Sequence, residues 1–154
     1  MAGNETAIFI LKLKIRLECL QMVYKDIIKK IHDAPTEYDF STLTDSIIEE
    51  ESTLNGVPQD YISFLKEVGY GSVSNSYFMF YGGLIEADEI YDANNNPELK
   101  NVLLFGDNFS GDAIGFHITN NWEIIEIWHE DVSIVPRGEK SFTELVQNIF
   151  SKEL

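Results

Sequence analysis

The chain reads as an α+β domain: a mostly antiparallel β-sheet of about six strands, with N-terminal helices and a C-terminal helix packed against it. Three observations lead there. Apolar residues recur at helical spacing in three segments before Gly69 and in one after Ser141. Between Tyr77 and Val135 the texture changes to short β-branched and aromatic runs cut by turn residues. No internal repeat or low-complexity tract disturbs that order.

Each element has its own signal. Tyr24–His32 is expected to be helical, with Ile27, Ile28 and Ile31 forming a stripe apart from Lys25, Lys29 and Lys30, and Pro35 stops it. A second helix is expected from about Thr44 to Leu54: Thr44 is the expected cap, Ile47, Ile48 and Leu54 face inward, Glu49, Glu50 and Glu51 face outward, and Gly56 sits just past the end. Pro58 opens a third at its first turn, with Asp60 near the positive end and Tyr61, Phe64, Leu65 and Val68 facing inward; Gly69 and Gly71 close it. Strands are expected at Tyr77–Tyr81, Leu84–Ile85, Val102–Phe105, Ala113–Ile118, Ile124–Trp128 and Ser133–Val135. Turns are expected at Gly82-Gly83, at Asn94 to Pro97 and at Asn120-Asn121. Ser141 caps the final helix, with Glu144 as its capping-box partner and Phe142, Leu145, Val146, Ile149 and Phe150 as the apolar face.

The first 21 residues follow another rule. From Phe9 to Cys19 apolar side chains hold the odd positions, and Lys12, Lys14, Arg16 and Glu18 hold even ones. Period two predicts a half-buried strand. The other reading is an extension outside the core, with Met22 as an alternative start. The expected organisation is an N-terminal extension over 1–21 and a single domain over 22–154.

With 154 residues and 44% hydrophobic content, the chain is large enough for a real core. Its single cysteine, Cys19, excludes an internal disulfide and a cysteine-rich zinc site. The net charge is −15, unevenly spread: residues 1–32 hold six of the eleven Lys and Arg with three acids, and the rest holds five with 23. The acidic body is expected to repel nucleic acid and anionic membrane and to attract basic partners, unless it serves solubility alone. No apolar run reaches about 18 residues, and no signal peptide is legible, so a cytoplasmic location is expected.

Between the apolar runs Val102–Phe105 and Ala113–Phe116 lies the polar insert Asp107 to Asp112, bounded by Gly106 and containing Gly111. Asp107 and Asp112 are thereby held at one end of a sheet. They either cap turn N–H groups, or form an acidic edge for a partner, or bind metal; calcium would need more oxygen ligands than this stretch supplies. Glu86, with Asp88 and Glu89 beside it, is expected to line the same groove unless it is a solvated turn. Trp122, next to a turn, is expected to be exposed and to join Tyr81 as an interface anchor, and Trp128 to pack in the core. His117 and His129 lack zinc spacing, and Ser110 lacks a nucleophile elbow. An approach of Asp107 to Glu86 is the remaining catalytic arrangement; no enzyme activity, cofactor or metal is expected.

Taken in order, Leu54-Asn-Gly-Val-Pro58-Gln-Asp60-Tyr61, the Gly69-Tyr-Gly71 exit, Tyr81-Gly-Gly-Leu-Ile-Glu86, the Phe105-Gly106-Asp107 to Gly111-Asp112-Ala-Ile-Gly-Phe116 loop and Ser141-Phe-Thr-Glu-Leu145 carry a family likeness. The chain resembles the SUKH superfamily, in the branch of yeast cell-wall assembly regulators and bacterial toxin-immunity proteins, over about Leu43 to Phe150. That resemblance implies a non-catalytic α+β domain that neutralises a cognate toxin, often a nuclease, of a polymorphic or contact-dependent system. The implied partner is a basic toxin domain, bound by a monomer or weak dimer. A regulatory or scaffold domain in cell-surface assembly is the alternative. The Phe9–Cys19 segment has no counterpart in the family.

Overall fold

The helical stripes and their stop signals produce helices where expected. The computed structural model describes residues 3–74 and 77–151, and for 15–22 the backbone alone. In chain order the elements are α1 (Gly3–Val23), α2 (Lys25–Asp33), β1 (Tyr38–Ser41), α3 (Asp45–Ser52), α4 (Gln59–Glu67), β2 (Tyr70–Val73), β3 (Phe78–Glu86), β4 (Val102–Asp107), β5 (Ala113–His117), β6 (Glu123–Trp128), β7 (Ser133–Pro136) and α5 (Phe142–Ser151). Two short 3-10 turns, Ala87–Glu89 and Pro97–Asn101, lie between β3 and β4. The class is α+β.

The seven strands pair antiparallel in chain order, each with the next. Helices α2 to α5 cover one face. Tyr24, Ile27, Ile48, Tyr61, Phe64, Leu65, Phe142 and Ile149 pack there on Phe80, Phe105, Ile114 and Phe116. Edge-to-face contacts of Phe142 with Tyr61, Phe64 and Phe105, at centroid distances of 5.1–5.3 Å, knit this core. A smaller cluster, Leu99, Leu104, Ile125 and Ile127 with Ala87 and Ala113, fills the other face beneath the segment between β3 and β4. Asp60 ties α4 to α5, its Oδ2 accepting from Thr143 N–H and Oγ1 at 2.9 and 3.0 Å.

Three expectations change. The sheet has seven strands instead of six: β1 and β2 add two, and the segments on either side of Gly82-Gly83 fuse into β3. The glycines do not turn the chain; they mark a register shift between Phe80 and Ile85, with Gly83 at φ +142°. The alternating Phe9–Cys19 segment is helical within α1, and no strand of the sheet pairs with it. Its residues are mostly Leu, Lys, Arg and Glu, all good helix formers, with only Ile10 and Ile15 β-branched, so propensity overrides period two. The Cys19 and Met22 side chains lie outside the described residues.

Candidate partner-binding surface

The β4–β5 connection builds one end of the sheet. Asp107 pairs with Ala113 in the ladder, and the Asn108 N–H closes the loop on the Asp112 carbonyl at 3.1 Å. Asp107 Oδ1 accepts from the Phe109 N–H at 2.8 Å, and Oδ2 accepts from the Tyr81 hydroxyl at 2.6 Å. Asn108 Oδ1 accepts from the Ser110 and Asp112 N–H groups at 2.9 and 3.2 Å, while its Nδ2 donates to Asp112 Oδ2 at 3.2 Å. Asp112 Oδ1 accepts the His129 backbone N–H at 2.9 Å and meets His129 Nδ1 at 2.7 Å. The Tyr91 hydroxyl donates to the Gly111 carbonyl at 2.6 Å.

These bonds set the electrostatics. The His129 N–H, then its ring, holds the Asp112 carboxyl below the usual carboxylate range. Burial, followed by the Asp107 carboxylate, pushes the Tyr81 hydroxyl well above its ordinary value. Burial also raises the Tyr91 hydroxyl, helped by the charges of Asp112 and Asp107. Both aspartates therefore cap turn N–H groups and fix the loop. What the loop presents outward is Phe109, 49% exposed at φ +59°. Nearby, Trp128, also 49% exposed, lines a shallow depression of about 250 Å³ with Asp112, His129 and Glu130.

The five sequence-selected residues divide between the two ends of the sheet. Tyr81, Asp107 and Asp112 meet through the bonds above. Glu86 pairs with Leu103, while Asp107 pairs with Met79, so these two carboxylates sit at opposite ends of β3 and β4. Four residues of strand separate them, about 13 Å. The expected common groove does not form, and neither does the Asp107–Glu86 catalytic pair.

Trp122 lies at the β5–β6 turn, at the Glu86 end, since Glu123 pairs with His117 and His117 with Val102. The expected roles of the two tryptophans are exchanged. Trp122 is half-buried, edge-on to Phe116 at 5.6 Å, and walls a groove of about 430 Å³ with Pro58, Glu139 and Lys140. Trp128, the last residue of β6, projects beyond the packed part of the sheet.

Asn108 bonds nearby backbone N–H groups, as its place in the polar insert predicts, whereas sequence reasoning missed Phe109 and His129 as parts of this surface. The i, i+4 spacing of Asn108 and Asp112 around Gly111 was a signal for the loop bond. His129 is placed by register: Ala113 pairs with Ile127, which brings residue 129 beside residue 112. Among the described residues no three His, Cys, Asp or Glu side chains converge as metal ligands. No helix there is long and apolar enough to cross a membrane. By sequence, the chain matches no protein-family model and no curated protein.

Proposed function

We propose that this chain is a non-catalytic binding protein, an immunity protein that neutralises a basic toxin domain of the nuclease type by covering it with an acidic surface. The observation that carries the reading is the β4–β5 loop: a hydrogen-bonded acidic turn that lifts Phe109 into solvent and is tied through Asp112 to His129, next to the exposed Trp128, on a body of strongly negative charge. Rigid presentation matters because an interface ordered in advance loses little entropy on binding. Aromatic side chains supply the buried anchors, and exposed acids such as Glu130 and Asp131 supply a rim complementary to a substrate-binding face built for a polyanion. The SUKH likeness of the motif order, from Leu54 to Leu145, supports the same reading and adds the setting, a polymorphic or contact-dependent toxin system in the cytoplasm of the producing cell.

The test is co-expression with the product of the adjacent upstream gene, followed by association kinetics of the purified pair. Neutralisation, with an association rate that falls steeply as salt rises past about 0.15 M, where the screening length is about 8 Å, is the expected result. If no neighbouring toxin exists and none is neutralised by this chain, or if the rate is insensitive to salt, the reading is overturned. Measured turnover by the purified protein overturns it as well.

A further inference from the structure

Helix α1 carries an apolar surface that its own chain leaves open. Ile8, Phe9, Ile10, Leu11 and Leu13 are 43–63% exposed. At about 100° per residue, positions 8 to 11 point to all sides of the helix instead of forming one stripe. A helix apolar all round belongs in a buried setting, and contiguous exposed apolar surface marks an interface.

Charge indicates what covers it. Lys12 and Lys14 follow directly and are exposed, in a 32-residue segment that is net basic, while the remainder of the same chain is strongly acidic. Pairing α1 with the α1 of another copy would set lysine beside lysine. Laid on the helical body of another copy, it would meet Glu49 and Glu50, exposed on α3, and the exposed apolar side chain of Leu54 just past that helix. Among the described residues Lys12, Lys14, Glu49 and Glu50 form no ion pair.

We propose that α1 is an exchange arm: in a homodimer each α1 docks on the acidic helical body of the other copy. Reciprocal exchange closes the assembly with two-fold symmetry, whereas one-way docking would propagate into chains. The apolar residues supply the affinity, and the lysines select the seat. At physiological salt the screening length of about 8 Å weakens repulsion between the two acidic bodies while leaving ion contacts at the seat in force. The inference is independent of the immunity reading.

Sedimentation of the full chain over a range of concentrations tests it. The expected result is a monomer–dimer equilibrium. Ile10→Ser with Leu11→Ser raises the dissociation constant at least about tenfold, the factor that burying one large aliphatic side chain supplies. Lys12→Glu with Lys14→Glu raises it too, and adding Glu49→Lys with Glu50→Lys to that variant recovers dimer. All these positions are exposed, so far-UV circular dichroism should show the body still folded. A monomer at every concentration overturns the proposal. So does a dimer lost in the apolar variant but untouched by the lysine reversal, which would mean that α1 pairs with α1. A monomer whose α1 partitions onto phosphatidylcholine–phosphatidylserine vesicles assigns the helix to lipid and overturns it equally.

Discussion

The indole of Trp122 occupies the space that a side chain at Gly56 would need: a Cβ built there lies 2.7 Å from Trp122 Nε1. Both residues are left-handed, Gly56 at φ +86° and Trp122 at φ +55°, the latter following Asn121 at φ +53°. The turn closes with the Glu123 N–H on the Asn120 carbonyl at 3.0 Å. Turns of this hand favour glycine at their second central position. Trp122 holds the position because its ring packs on Phe116 over a glycine that leaves room for it.

Gly56→Ala therefore combines strain at φ with a clash and is expected to cost about 1–3 kcal/mol. Trp122→Ala removes the clashing ring, so the double variant should be less destabilised than the sum of the singles. Denaturant unfolding of the four proteins measures the coupling. Additive values would mean that the ring and residue 56 do not oppose one another.

Glu51 links α3 to the irregular part of β3, its Oε1 accepting from the Leu84 N–H at 3.2 Å. Its Oε2 is buried without a hydrogen-bond partner among the described residues. Burial pushes this carboxyl above the usual range, only partly offset by the Leu84 bond. A raised folded-state pKa means the protonated form favours folding. That contribution is full below the unfolded-state value of about 4.3 and is lost as pH rises through the folded-state value. Glu51→Gln keeps the acceptor and removes the charge. Its melting temperature should exceed that of the parent at pH 7, and the gap should close by about pH 4.

Helices were legible because their signals are local. Ser141 and Glu144 form the expected cap, Ser141 Oγ accepting the Glu144 N–H at 3.1 Å and Glu144 accepting the Lys140 N–H at 2.8 Å. Strands whose identity depends on distant partners were not. Tyr38–Ser41 is four residues long, and its strand character comes from pairing with Tyr70–Val73, where Gly71 leaves space for the Asp39 carbonyl. Gly82-Gly83 has the same composition whether it turns or bulges. At the site, the Asp107 loop was legible from its glycines and side-chain amides. The tryptophan environments were not: a left-handed turn folds residue 122 back onto Phe116, and only the end of the sheet leaves residue 128 outside. The Tyr81–Asp107 bond spans 26 residues, which no local pattern encodes.

Asp112 has the opposite pH signature to Glu51. Its carboxyl is held low by the His129 N–H, so its contribution is present above the unfolded-state value of about 3.9 and is lost as pH falls through the lower folded-state value. Asp112→Asn should reduce the melting temperature at pH 7 and have little effect at an acid pH below the folded-state value, where the parent carboxyl is protonated in both states. Thermal unfolding at the two values checks it; an equal loss at both would mean that the charge contributes nothing.

Phe109 sets stability against recognition. A bulky residue at φ +59° is strained, and its ring is half exposed, so the fold gains little from it. Asparagine adopts that backbone conformation readily, so Phe109→Asn should stabilise the free protein by about 0.5–1 kcal/mol. If Phe109 is an anchor of the partner interface, the same substitution weakens toxin binding by about tenfold or more, mainly through faster dissociation. Chemical denaturation and surface-based kinetics on one preparation read both quantities. A more stable variant that binds as tightly as the parent would remove Phe109 from the interface, while leaving the hydrogen-bonded loop beneath it as a purely structural turn.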